Sequence, residues 1–252
     1  MPFDKNKPLI AAAIGIMTSG AVADITGVAL RGYQVSAEDF DGSIVNAWVV
    51  DMYLKAETEN DTVLNAYDLR GSNGPSAEGS LVNSLGSNVA YYQSQTGSGW
   101  MPNEQGDPFT TDALLMADSF VSIGARNADG STALNGGGGV WQMAGNGTQL
   151  DPSFGGNNAD APGANAGWYN SSPPSGIGRA MSLDTLSGDF GVFIGRFAVE
   201  GTQSFDLEGW ISVTWNDGVG STPEQAQFFI PTPGAFALLG MAGLTTCRRR
   251  RL

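Results

Sequence analysis

The 252-residue chain contains no histidine and a single cysteine, Cys247. Without imidazole, the commonest general base and a preferred transition-metal ligand are missing together, so neither a Ser-His-Asp nor a Cys-His site can be assembled. Without a second thiol, no disulfide can form within the chain. Cations are scarce as well, with 12 Lys and Arg against 25 Asp and Glu. Between Asp24 and Ile230 only Arg31, Lys55, Arg70, Arg126, Arg179 and Arg196 oppose 24 carboxylates, a net of −18. A field of that sign repels phosphate backbones, which excludes nucleic acid as a partner. The glycine-rich "GVGS" and "GNGT" lack the lysine and the strand-to-helix setting of a phosphate loop.

The remaining cations lie at the ends, and there they are informative. Lys5 and Lys7 precede an apolar run from Leu9 to Met17, followed by Ala21-Val22-Ala23. A positive start, a short hydrophobic core and small residues at a cleavage point are the layout of a secretory signal peptide. Residues 1–23 are expected to be removed by signal peptidase after Ala23, with Ala21 and Ala23 as the small residues at the cut. A buried N-terminal helix is the alternative, against which Pro8 and the shortness of the apolar run argue.

The C-terminal segment, residues 230–252, has three parts in order: a proline motif at Pro231-Thr232-Pro233-Gly234, an apolar stretch from Phe236 to Thr246, and Arg248, Arg249, Arg250 and Arg251. As a helix, Gly234 to Cys247 would run about 21 Å at ~1.5 Å per residue, short of a hydrocarbon core of about 30 Å. Cationic flanks stay on the cytoplasmic side, so the arginines act as a stop that leaves the body outside. Cys247 is read as a small apolar residue near the membrane edge, since no lipidation motif surrounds it.

This order of parts resembles the PEP-CTERM sorting signal of Gram-negative bacteria. Members carry Pro-Glu-Pro where this chain has Pro231-Thr232-Pro233-Gly234, while "ALLGMAGL" and "RRRR" follow the family pattern. The resemblance implies an exosortase-like sorting enzyme as a partner and transient residence in the inner membrane. It covers about a tenth of the chain and implies nothing about the fold or activity of the rest. An ordinary tail anchor, without a sorting enzyme, is the alternative.

Residues 24–229 form the body, and period-two alternation dominates it. In "FDLEGWISVTW", Phe205, Leu207, Ile211, Val213 and Trp215 share one face, and Asp206, Glu208, Trp210, Ser212 and Thr214 the other. In "SIVNAWVVDMYLKA", Ile44, Trp48, Val50, Met52 and Leu54 share a face, with Asp51 and Lys55 marking the other as partly wet. Phe190 to Val199 is apolar on both faces apart from Arg196 and predicts a central strand. Further strands are expected over 25–35, 62–69, 89–94, 119–125, 140–143, 179–183 and 227–230. Turn formers interrupt nearly every apolar run, so one all-β domain is expected, an antiparallel, jelly-roll-like β-sandwich. Outside it, the terminal segments supply a short N-terminal signal helix and a C-terminal hydrophobic helix. Asn127 to Gly178 holds 13 glycines and seven asparagines in 52 residues and predicts long loops over one end of the sandwich.

Two chemistries fit such a body. Exposed aromatic rings stack on the apolar C–H faces of sugars, and Trp141, Trp168 and Tyr169 are the foremost candidates, with Trp100 and Trp210 beside them; packing in the core or under loops is the competing role of each. A body rich in oxygen donors without His or Cys favours hard cations. Calcium is therefore the one cofactor entertained, at Asp39 and Asp41 in "EDFDG", at Glu57, Glu59 and Asp61 in "ETEND", and at Asn127 and Asp129 in "NADG". None of these stretches completes a calcium-loop signature, and Asn and Asp before Gly are ordinary turn residues. No catalytic residue is assigned and the chain is not expected to be an enzyme, although a pair of carboxylates suited to a glycoside hydrolase is the one catalytic arrangement its composition permits. The function expected from sequence is that of an exported structural or adhesive protein of the cell envelope or extracellular matrix. The alternative is a carbohydrate-binding module that engages extracellular polysaccharide.

Overall fold

The computed structural model describes residues 24–70, 82–83, 90–97, 99–101, 110–124, 126–127, 141–142, 148–151, 166–171, 178–183, 186–187, 189–218 and 221–230. The expectations for the two termini lie outside the described residues, including Ala21, Ala23, the motif from Pro231 to Gly234 and Arg248 to Arg251.

Among the described residues thirteen strands and one short helix build an all-β, sandwich-like fold whose pairings are all antiparallel. The first sheet runs β1 (Ile25–Glu38), β2 (Ile44–Ala56), β11 (Phe190–Glu200) and β10 (Met181–Ser182), with β5 (Phe120–Val121) also paired to β11. The second runs β13 (Glu224–Ile230), β12 (Leu207–Asp217), β3 (Asp61–Arg70), β9 (Trp168–Asn170) and β8 (Thr148–Leu150), with β4 (Val82–Asn83) on β12. A separate ladder joins β6 (Arg126–Asn127) to β7 (Trp141–Gln142). Because β2 pairs with β11 and β3 with β12, early and late parts of the chain interleave in both sheets.

The alternating patterns explain the layers. Val50, Met52 and Leu54 of β2 and Val192, Phe197 and Val199 of β11 meet Val63, Ala66, Ile211, Val213 and Trp215 from the second sheet in one core. The face on which Trp48, Val50, Met52 and Leu54 were expected is therefore the inward one, except that Ile44 stands 60% exposed at the strand's start. The opposite face of β2 is not partly wet. Val45, Ala47 and Val49 are buried there under Ala113 and Ala117 of α1 (Asp112–Met116) and its C-cap, and Tyr53 packs with Phe120, Leu183 and Phe193. A five-residue helix leaves no periodicity to find in the sequence; Thr111 caps it by accepting from Leu114 N at 3.0 Å. The strand expected over 89–94 is irregular in its described residues, which borrow single backbone bonds from Ala198 O and Ser119 N. The strand over 119–125 shrinks to Phe120–Val121. Within the Gly/Asn-rich region, where loops were expected, β8 and β9 extend the second sheet.

Asp51, expected toward solvent, is fully buried on this covered face and opposes Arg196, which is 2% exposed. A bulge between Phe193 and Gly195 makes that pairing: the extra residue advances β11 by one, so Phe193 and Arg196 share a face and Arg196 sits across from Asp51. The guanidinium donates Nε to Asp51 Oδ1 at 2.8 Å, Nη2 to the Tyr33 hydroxyl at 2.8 Å, and Nη1 to Leu115 O at 2.9 Å. Leu115 O is among the last carbonyls of α1, which have no partner inside a helix. Tyr33 in turn donates to Asp51 Oδ2 at 2.9 Å. Burial opposes charge on Arg196, but the Asp51 carboxylate outweighs it, and the guanidinium holds its proton more tightly than usual. Burial also drives the Tyr33 phenol well up; Arg196 offsets part of that rise and Asp51 adds to it.

Removing one member of such a pair strands a charge in the core. Asp51→Ala and Arg196→Leu are each expected to lower unfolding free energy in urea by about 3–5 kcal/mol. The double variant should lose clearly less than the sum of the two, whereas single losses below about 1 kcal/mol would show that the pair is not buried in solution.

Candidate functional site

The outer face of the first sheet is partly covered by α1 and its neighbours, and the outer face of the second sheet is the other broad face. Among the described residues no element packs on it. Strand alternation turns three rows of side chains outward. The first row pairs Phe229 with Trp210, whose rings meet edge to face with centroids 5.3 Å apart. The second contains Gln227, Ser212 and Tyr67, and the third Gln225, Thr214, Asn65, Tyr169 and Gln149. Tyr169 is 47% and Phe229 43% exposed, while Trp210 and Tyr67 are half-buried. The rows are knitted together: Gln225 Nε2 donates to the Tyr67 hydroxyl, and Gln227 Nε2 to Ser212 Oγ at 3.5 Å.

The second and third rows contain no Asp, Glu, Lys or Arg, whereas Trp210 in the first stands in register with Arg70 and shares its parity with Glu208. Beyond the third row, Thr62 bridges to Arg179, which is exposed. The surface therefore offers rings, amides and hydroxyls in its middle rows, which can stack, donate and accept, with charged residues at both ends.

The sequence-derived candidates separate on this frame. Tyr169 belongs to the open face. Its neighbour Trp168 does not: it is 1% exposed, points into the core by alternation and donates Nε1 to Ser122 O at 2.8 Å. The expectation of Trp168 as a stacking platform is thus corrected to a packing role, the cause being the single-residue parity of a strand. Trp100 is likewise buried, edge to face with Tyr91. Trp141 and Asn127 are brought opposite each other on β7 and β6, and their side chains, like Asp129, lie outside the described residues. Phe229 and Tyr67 escaped notice in the sequence; parity on β13 and pairing of β3 with β12 are the signals that place them.

Asp39 and Asp41 sit in the β1–β2 turn, where Gly42 N bonds Asp39 O. Asp39 is 4% exposed and both its oxygens are occupied. Oδ1 accepts from Phe40 N, Ser94 Oγ and Thr111 Oγ1, and Oδ2 from the Tyr92 hydroxyl and Gln95 N. Asp41 accepts from Ser43 N and Gln95 Nε2, and the Ser43 hydroxyl, the Ser43 backbone and Gln95 together bring its carboxyl down to about 2. These carboxylates wire the turn to the covering layer, beside a shallow polar groove of about 370 Å³ that Ser43, Gln93 and Glu200 also line. Among the described residues no three His, Cys, Asp or Glu side chains converge as a metal site would require, and no helix is long and apolar enough to cross a membrane.

The described residues thus form an antiparallel, sandwich-like all-β fold. No family model matches it, and neither a curated protein nor a solved structure shows significant similarity to it.

Burial raises the Asp39 carboxyl, but its hydrogen-bond donors outweigh that and hold it below the usual carboxylate range. A depressed carboxylate contributes stability above its unfolded value of about 3.9 and loses it as pH falls through the folded value. Asp39→Ala is therefore expected to cost about 2 kcal/mol at pH 7, and the difference from the parent should shrink in urea titrations run below about pH 4. A difference independent of pH would refute the ionic role.

Proposed function

We propose that this protein is an exported adhesive component of the cell envelope or extracellular matrix, a jelly-roll-like β-sandwich that holds extracellular polysaccharide on the open face of its second sheet. The N-terminal segment directs export and is cut after Ala23 by signal peptidase. The C-terminal segment pauses in the inner membrane, with Arg248 to Arg251 on the cytoplasmic side, for an exosortase-like enzyme to process near Pro231 to Gly234. The reading of the termini rests on their order of charge, apolar run and small residues.

One observation supports the adhesive half: Tyr169, Trp210 and Phe229 stand with a set of amides on the outer face of the second sheet, on which none of the described residues packs, while α1 covers part of the outer face of the first. Burying an aromatic ring against the C–H face of a sugar is favourable, and amides satisfy the hydroxyls around it. Adhesion of this kind needs no bond-breaking residue, in keeping with a chain without histidine.

Retention of the matured protein on a panel of insoluble polysaccharides tests this. Binding to at least one is expected, with Trp210→Ala/Tyr169→Ala weakening it about tenfold or more while unfolding midpoints hold, since two stacking rings contribute on the order of 1–3 kcal/mol together. Absence of retention on every polysaccharide would overturn the adhesive reading.

A further inference from the structure

At the end of the sandwich where β1 begins, one buried carboxylate oxygen has no partner. Asp61 opens β3, is fully buried and points inward with Val63. Its Oδ2 accepts from Thr58 N at 3.1 Å, whereas Oδ1 lies away from water and bonds to nothing. Asp217, the last residue of β12, stands directly across from it in register, which sets the two Cβ atoms roughly 5 Å apart on one face. Gly218 N, just beyond, donates to Asn60 O at 3.1 Å and holds the end of β12 against the β2–β3 turn. Asp24 lies at the same end. Its carbonyl accepts from Glu57 N of that turn at 3.0 Å, and both Asp24 and Asp217 act on Asp61 with like charge.

A buried carboxylate with a bare oxygen, faced by a second carboxylate, is costly unless a cation with N–H donors meets it. The two described cationic side chains nearest in the chain are engaged elsewhere. Arg179 bridges Thr62, so alternation puts it on the side of β3 opposite Asp61, where it donates Nε to Glu59 O at 2.8 Å and Nη2 to Asn60 Oδ1 at 3.4 Å. Lys55 pairs with Asp189 at 3.8 Å, both of them exposed.

We propose that this site binds a primary ammonium, and that its ligand is the chain's own N-terminus, made when signal peptidase cuts after Ala23. The inference rests on the cut proposed above. In the precursor the Asp24 nitrogen belongs to a peptide bond, with one N–H and no charge. Cleavage adds water across the Ala23–Asp24 amide: the oxygen of that water stays with Ala23 as a carboxylate, and both its protons go to the Asp24 nitrogen. The product is an α-ammonium with three donors, charged at neutral pH. Asp24 is already hydrogen-bonded to the turn that leads into Asp61, so the new charge is made next to the carboxylate pair that lacks one. The contact fastens the start of β1, in the first sheet, to β3 and β12 in the second, and it exists only in the cut protein. Export and removal of the signal peptide are thereby coupled to the final tightening of the sandwich.

Thermal unfolding of the exported protein carrying Lys55→Arg tests this. Lys5 and Lys7 leave with the signal peptide, so the α-amine is then the only primary amine that acetic anhydride can acylate. N-terminal sequencing of the untreated protein is expected to begin Asp24-Ile25-Thr26. Acetylation is expected to lower the unfolding midpoint by about 4 °C or more, and by clearly less in Asp61→Asn or Asp217→Asn, where one of the two charges to be met is gone. A midpoint unmoved by acetylation, or lowered equally in both carboxamide variants, would overturn the inference while a sequence beginning at Asp24 leaves the export reading standing. A sequence that begins at another residue removes the proposed cut and the inference together.

Discussion

A guanidinium with almost no access to water organises this molecule. Arg196 is one of six cations in the body, and it is placed where desolvation is most costly, on the covered face of the first sheet. Its charge is tolerable there because Asp51, Tyr33 and a helix carbonyl meet its donors at 2.8–2.9 Å. The arrangement ties three parts of the chain together: β1 through Tyr33, the β2–β11 pair through the ion pair itself, and the covering helix through Leu115 O. A second carboxylate, Asp39, ties the β1–β2 turn to the same covering layer through hydroxyls and amides alone. Charge on this side of the sandwich serves to hold the layer down.

The other side differs in kind. Among the described residues β2 and β11 are buried on both faces, while β12 buries mainly the side that carries Leu207, Ile211, Val213 and Trp215. Soluble sheets commonly fill the outward positions with charge. Here the middle rows carry amides, hydroxyls and the rings of Tyr67 and Tyr169, with Trp210 and Phe229 in the row beside Glu208 and Arg70. The proposed role follows from that composition: rings and amides together are fitted to a hydroxyl-rich polymer.

Much of the architecture was legible from alternation. β12 and β11 appear where period-two and doubly apolar runs place them, and the outward parity of Trp210 follows from its strand alone. What escaped was set by long-range contact. Asp51 looked wet because a carboxylate in an amphipathic strand normally faces water; only a bulge 140 residues later in the chain, together with a five-residue helix, makes it a core residue. Trp168 and Tyr169 were indistinguishable as neighbours in a glycine-rich stretch, because parity has no meaning until β9 is known to pair with β3. The covering layer was missed for the same reason: residues 90–97 and 110–119 pack by isolated hydrogen bonds that leave no periodic trace.

Hydroxyl-radical footprinting, with and without a polysaccharide that the protein retains, bears on the division between the two faces. Without ligand, Tyr169, Trp210 and Phe229 should oxidise faster than the buried Trp168, Trp100 and Tyr53, and with ligand the first three should be protected together while Phe40 and Ile44 at the β1–β2 turn are unchanged. Protection confined to the turn, or fast oxidation of Trp168 and Tyr53 in the folded protein, would contradict the assignment of one sheet to structure and the other to binding.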